Sequence, residues 1–360
     1  MALFGLFTSS SKKILGVDIG TTSIKAVELS KKGKMPYLSN YALLEHFGHF
    51  LRPNDVIQAN SLKMSEKSVV NLLKLLLKKA NFSTKQAMAS VPSFASYTTL
   101  VEMPSMTEEE TQKAMSFQIQ QSIPLPLSEV SVDWIKVGQR QDDQGFDKQF
   151  ILIVAIANDT ITQYKSIFKQ AGLTLKALEV EHLAYTRAVV GADKTPTLIL
   201  DIGARSSNIT IVDQGFVKEN NQIDYAGDSL TSSIVKGLGI SYQRADELKR
   251  QRGILGGAGD FELSTLQMPF LDVILQETEK TKAHFEGQSG VSLQRVLLVG
   301  GGAALPGITE YVEGKIGLPT VQGNGLLYVE SPSSVDVVAG ELQTRFATSL
   351  GLAIKHFTNS

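Results

Sequence analysis

The sequence predicts an α/β protein of two pseudo-repeated domains facing each other across a cleft, with an α+β unit inserted in the first. Three observations carry this expectation. An apolar strand from Ile14 ends in Asp18-Ile19-Gly20, followed by Thr21, Thr22, Ser23 and a second alternating strand through Val27. The pattern returns 201 − 18 = 183 positions later, where Leu198–Leu200 leads into Asp201-Ile202-Gly203 and then Asn208–Val212. A third strand, Val296–Val299, is apolar without a break, as buried strands are, and opens into Gly300-Gly301-Gly302-Ala303.

Composition suits that architecture. The 360 residues are 42% hydrophobic and 20% charged, enough for a packed core and for two domains. A formal net charge of −1 provides no global field toward nucleic acid. There are no cysteines, which excludes disulfides and thiolate-bound metal. The histidines, His46, His49, His182, His284 and His356, show no metal-ligand spacing, so zinc chemistry is not expected. The apolar run Ala2–Phe7 is too short to cross a bilayer and lacks the charged flank of a secretory signal. It reads as a terminal tail, or as a membrane or partner contact through Leu3, Phe4, Leu6 and Phe7.

The elements follow in order. After the first hairpin comes a polar connection at Lys31–Lys34, then a helix over Ser65–Lys79 with Ser65 as N-cap. Gln86–Val91 reads as a strand stopped by Pro92. The inserted unit spans about 93–172. In it, Tyr97–Val101 is strand-like, and Thr107 with Glu108–Glu110 starts a helix that ends near Ile123, before Pro124-Leu125-Pro126. Val130–Val137 and Phe150–Ala157 alternate, with Gln139–Gln149 as a long hairpin loop, and Asp159–Ala171 is a helix stopped by Gly172. A strand over Leu173–Val180 and a helix over Glu181–Val190 close the first half. Gly191–Pro196 is the domain boundary, giving 1–190 with 335–360 as one domain and 195–335 as the other. Beyond the second hairpin, helices are expected at Asp228–Leu238, Tyr242–Arg250 and Leu266–Phe285, with a glycine-rich loop at Gln251–Gly259. A helix begins near Ile308, and one closing helix runs from Ser333 or Val337 to Phe357.

The motifs carry chemistry. A tight turn rich in N–H and O–H groups makes a concave anion site. Gly20 lets backbone approach a phosphate, Thr21, Thr22 and Ser23 offer donors, and Lys25 adds a point charge. In the second turn, Gly203, Ala204 and Ser206 play the same part. Arg205 stands where a small residue is expected, and it points either at phosphate or outward. Asp18 and Asp201 suit a hydrated Mg²⁺, which takes one or two carboxylates plus waters and phosphates. Gly300, Gly301, Gly302 and Ala303 would let a purine or phosphate lie against backbone beside a helix start, although close packing alone also uses such glycines. Gly227 and Asp228 precede Glu247 and Lys249, which are placed to reach a ribose or base, or else form a solvated face. Glu181 starts a helix after a core strand. It either orients an attacking water or improves the helix start.

In this order the elements resemble the actin-like ATPase superfamily, whose fold is ribonuclease H-like. The resemblance implies ATP with Mg²⁺ in the cleft, phosphates on the two hairpins, adenosine on Gly300–Ala303, and Glu181 as the water-orienting carboxylate. More narrowly, the chain resembles the PilM family of type IV pilus assembly. The residues concerned are Gly16-Val17-Asp18-Ile19-Gly20, Ser23–Leu29, Ser90-Val91-Pro92-Ser93, Met103–Glu110, Ile123-Pro124-Leu125-Pro126-Leu127, Ala171-Gly172-Leu173 and Asp201–Ala204. That family implies a cytoplasmic ATP-binding protein, with slow hydrolysis at most, held on the inner membrane by the N-terminal cytoplasmic segment of PilN. It also implies other pilus assembly proteins as partners, and self-association. Tyr97–Val101, Val130–Val137 and Met115–Ile123 are candidate walls for the PilN segment. The alternative is an FtsA-like, membrane-tethered filament protein, which would need an amphipathic helix beyond the core. No such segment follows Phe357-Thr358-Asn359-Ser360. A sugar-kinase reading would need an acidic base beside a substrate pocket, and no such motif is visible.

Overall fold

The computed structural model describes residues 12–46, 65–141, 145–255 and 261–358. The apolar run at 2–7 lies outside them, as do 256–259 of the expected glycine-rich loop.

The chain opens with β1 (Lys13–Ile19), β2 (Ser23–Lys31), β3 (Pro36–Glu45), α1 (Glu66–Ala80) and β4 (Gln86–Val91). Helix α1 forms where expected. The Ser65 side chain accepts from the Ser68 N–H, Asn81 closes the helix at φ 52°, and Val69, Val70, Leu73 and Leu76 face the core. A 3₁₀ turn, Ser93–Ala95, leads to β5 (Ser96–Pro104), α2 (Glu108–Ser122), β6 (Val130–Gln141), β7 (Asp147–Ala157), α3 (Asn158–Gln170), β8 (Thr174–Val180) and α4 (Glu181–Val189). Thr107 and Glu110 form a reciprocal capping box on α2.

The second half repeats the design with β9 (Thr197–Ile202), β10 (Ser207–Asp213), β11 (Phe216–Ile223), α5 (Gly227–Leu238), α6 (Tyr242–Arg252), α7 (Phe261–Ser289), β12 (Arg295–Val299), α8 (Ile308–Ile316) and β13 (Thr320–Gln322). The chain then runs through a 3₁₀ turn, Ser333–Val338, into α9 (Ala339–Arg345) and α10 (Ala347–Thr358). One sheet has the order β3-β2-β1-β4-β8 and another the order β11-β10-β9-β12-β13. Strand for strand these are the same sheet made twice. A third sheet, β5-β7-β6, lies within the expected insert, whose last helix, α3, packs back on α1.

Three differences from the sequence expectation have physical causes. Strands β3 and β11 carry a weak signal because each is an edge strand with a single buried apolar residue, Leu38 and Val217. The β6–β7 hairpin extends into the polar run expected to be a loop, because backbone pairing continues from Gly138↔Phe150 to Gln141↔Asp147. The single closing helix is broken at Phe346 (φ −102°, ψ 9°). The break lets the Phe346 ring enter the core while the Thr344 carbonyl accepts from the Gly300 N–H at 3.2 Å.

Between the two five-stranded sheets lie α4 and α10. Helix α10 packs on β1, β2 and β4, and α4 on β10 and β11. One apolar cluster therefore joins Ile14, Val27 and Met88 of the first sheet to Ile199, Val212 and Leu297 of the second. Below it, Glu179 is fully buried and accepts two bonds from Arg187 and one from Lys355. Burial pushes the Glu179 carboxyl up, but the two cations outweigh it and hold the pKa at about 2.

Candidate functional site

Two turns face a cleft of about 470 Å³, a size typical of small-molecule sites. They have one geometry. The Gly20 N–H donates to the Ser23 carbonyl at 2.9 Å, and the Gly203 N–H to the Ser206 carbonyl at 3.1 Å. A side chain at Gly203 would meet Ser206 O at 2.8 Å, closer than a Cβ tolerates, so the turn needs glycine. The second turn is braced from behind: its carbonyls at Gly203 and Ala204 accept from the first N–H groups of α5, Gly227 and Asp228.

The two aspartates occupy equivalent places. Asp18 pairs across the hairpin with Lys25, and Asp201 with Asn208, each partner seven positions on. Lys25 Nζ donates to Asp18 Oδ2 at 3.0 Å, and Ser90 Oγ, from β4, donates to Oδ1 at 2.7 Å. Asn208 Nδ2 donates to Asp201 Oδ2 at 3.4 Å and to Glu181 Oε1 at 3.0 Å. The Ser93 N–H also donates to Glu181 Oε1, at 2.9 Å. Among the described residues neither bond uses Oε2, which is left for chemistry.

These carboxylates are electrostatically loaded. Burial, then the nearby Asp201 and Asp18 charges, pushes Glu181 up to about 7. Burial pushes Asp201 up to about 6, with Asp18 adding to the rise and Lys25 and Asn208 opposing it. A carboxyl near 7 is poised to take a proton at neutral pH. The three acids face one lysine, an arrangement that a bound cation would relieve. Among the described residues no cluster of acids and histidines forms a closed metal cage. Carboxylates and hydroxyls without a cage fit Mg²⁺, which keeps its waters and shares phosphate oxygens.

The third wall comes from β12 and α6. Gly300 has φ +81°, and a Cβ there would overlap Asp201 Oδ1 and Ile202 O, so backbone alone fits. Gly301 and Gly302 line the cleft with it. On α6, Lys249 is buried and donates to Gly227 O at 3.0 Å and Thr231 Oγ1 at 2.6 Å, beside Asp246 at 2.7 Å.

The structure thus brings Asp18, Gly20, Thr21, Thr22, Ser23, Lys25, Glu181, Asp201, Gly203, Ala204, Ser206, Gly227, Asp228, Lys249 and Gly300–Gly302 to one cleft. It leaves two expected residues out. Glu247 faces solvent and pairs with Arg244, because one step along a helix turns a side chain by about 100°. Ala303 is fully buried in a 3₁₀ turn, packed in the core of the second half. Ser90, Asn208, Asp246, Arg250 and Phe94 were missed. Only Asn208 had a usable signal: it follows Asp201 by the interval that separates Lys25 from Asp18. Arg205 takes neither orientation alone. It lines the cleft with its guanidinium 4.7 Å from the centre of the Phe94 ring.

The family model described as type IV pilus assembly protein PilM matches residues 16–357. A solved chain of a PilM–PilN type IV pilus biogenesis complex superposes with a TM-score of 0.80 at 20% identity, covering 96% of this chain and 99% of that one. Ethanolamine utilization protein EutJ from Carboxydothermus hydrogenoformans gives 0.56 at 15% identity, covering 97% and 91%. MreB 5 of Spiroplasma citri bound to AMPPNP gives 0.53 at 14% identity, covering 97% of each chain. The fold is that of the actin-like ATPases.

Proposed function

The chain belongs to the PilM family of type IV pilus assembly proteins, and we propose that it is a nucleotide-bearing adaptor of the pilus machine. It binds ATP with Mg²⁺ in the cleft and the N-terminal cytoplasmic segment of PilN at the inserted unit. The observation that carries the nucleotide reading is the pair of matched Asp-Ile-Gly turns across one cleft, each aspartate held by its own cross-strand partner. The AMPPNP-bound neighbour of like fold supports it.

In this reading the Gly20–Ser23 and Gly203–Ser206 turns hold the phosphates from both sides. Asp18 and Asp201 hold the hydrated cation, which when bound neutralises charge on the phosphate oxygens. Glu181, oriented by Ser93 and Asn208, accepts a proton from water at Oε2. As the family resemblance implies, turnover is slow at most. The domains are 1–190 with 335–360, and 195–335.

The solved PilM–PilN complex supports PilN as the partner. The inserted unit also exposes Phe117, Leu125, Leu127 and Ile135, apolar side chains suited to docking. No helix among the described residues is long and apolar enough to cross a membrane. The reading places the protein in the cytoplasm, at the inner membrane through PilN.

Calorimetric titration with ATP–Mg²⁺, and with a peptide of the PilN N-terminus, tests both halves of the reading. Asp18→Ala and Asp201→Ala are expected to weaken ATP binding at least about tenfold while circular dichroism stays native. Full ATP affinity in both variants would overturn the site.

A further inference from the structure

We propose that Arg205 reads the terminal phosphate of a bound nucleoside triphosphate and passes its presence to the inserted sheet through Phe94, an inference that rests on the nucleotide reading above. Arg205 belongs to the second phosphate turn, between Gly203 and Ser206, and lines the cleft. Its guanidinium lies 4.7 Å from the centre of the Phe94 ring. Phe94 sits in the 3₁₀ turn Ser93–Ala95, which runs directly into β5, the first strand of the inserted sheet. One short turn thus joins three things: the Glu181 carboxylate through the Ser93 N–H, the Arg205 guanidinium through Phe94, and the inserted sheet through Ser96.

A second contact of the same kind ties this sheet to the second half. Lys218, on β11, places Nζ 4.9 Å from the centre of the Phe150 ring on β7. Of the two ties, only Arg205 lies in a phosphate turn. A bidentate, charge-assisted bond to phosphate outcompetes a guanidinium on a ring face. A triphosphate therefore draws Arg205 off Phe94 and loosens the root of the inserted sheet. A diphosphate, lacking the terminal group, leaves the stack in place.

The chain carries its own reporter. Its one tryptophan, Trp134, lies on β6 opposite Ile153, which pairs in turn with Thr99 of β5. The full chain with Mg²⁺ is titrated with ATP, with AMPPNP and with ADP, and read by tryptophan emission and by heat. ATP and AMPPNP are expected to shift the emission and ADP to leave it. Arg205→Lys is expected to lose about tenfold in ATP affinity. It should also lose the emission response at saturation. Phe94→Leu should silence the emission while heat still records ATP binding. An unchanged response in either variant overturns the inference, and so does a wild type that answers ATP and ADP alike or stays silent when heat shows saturation. If heat records no nucleotide at all, the nucleotide reading itself has failed and takes this inference with it.

Discussion

Glu181 is unusual among the acids of the cleft and core because no cation among the described residues neutralises it. Glu179, two residues away and more deeply buried, has two cations and a pKa of about 2; Glu181, at the cleft, has two neutral donors and sits near 7. A carboxyl raised in the folded state binds its proton more tightly there than in the unfolded chain. Its cost to stability therefore appears as pH climbs past the ordinary value of 4.5, and is complete above about 7. The full cost is on the order of 3 kcal/mol. Glu181→Gln removes it, so the nucleotide-free variant should melt a few degrees above wild type at pH 8 and gain much less at pH 5. An equal gain at both pH values would show that Glu181 does not titrate in this window. The residues legible in the sequence were those whose role is local, such as Asp18, Gly20, Lys25, Asp201 and Gly203, each fixed by its own turn. Those missed depend on register or on helix face. Ser90 reaches Asp18 only because β4 lies beside β1. Glu247 and Lys249, two apart, cannot share a helix face, whereas Asp246 and Lys249, three apart, do.

At the scale of elements, α4 and α10 approach each other closely at a glycine. A Cβ built on Gly351 would overlap the Ala184 carbonyl, and one on Gly16 would overlap the Ser349 carbonyl. Helix α10 is thus held between β1 and α4 by two glycines that admit backbone where other residues would hold it away. Arg187 reinforces the contact by donating to Gly351 O at 3.0 Å as well as to Glu179. Gly351→Ala must push the helices apart and so disturb Arg187 and the Glu179 group together. We expect a loss of about 3 kcal/mol, read as an earlier urea midpoint with an unchanged slope. Gly340→Ala, with open space at its Cβ, serves as the control and should unfold with wild type. If both variants behave alike, close packing at α4 and α10 is not what sets stability. None of this was visible in the sequence, where Gly351 is a lone glycine inside a helical segment. The strong elements, α1, α2 and β12, were visible because caps and apolar periodicity are local signals. The edge strands β3 and β11 lack those signals and are set by the neighbour they pair with.

Across the whole molecule the duplicated sheets leave a mouth that one carboxylate spans. Glu45 ends β3, directly opposite Ser23 of the first phosphate turn, and the Thr22 carbonyl accepts from the neighbouring His46 N–H at 3.0 Å. Its Oε1 accepts from Arg250 of α6 at 2.9 Å and from Arg345 of α9 at 2.6 Å. Arg250 also donates to Asp246, and Arg250, Asp246 and Arg345 all line the cleft. The first phosphate turn is therefore clasped to the helix that carries Asp246 and Lys249. Burial pushes Glu45 up, but hydrogen bonds from Arg345 and Arg250 outweigh it and hold its pKa below the ordinary 4.5. A lowered pKa keeps the clasp charged at any pH above that value, so acidity near neutrality will not open it. Salt will, because the groups are partly exposed and their attraction is screened within about 10 Å at 0.1 M. An exposed pair of this kind contributes about 1 kcal/mol, a roughly fivefold effect on a rate. Glu45→Gln should therefore release bound nucleotide about fivefold faster in a stopped-flow chase at low salt, while its melting temperature stays near that of wild type. Raising salt should speed release from wild type toward the variant's rate and scarcely affect the variant. Equal salt dependence in the two proteins would mean that the mouth is held by packing between the halves and that Glu45 only decorates it.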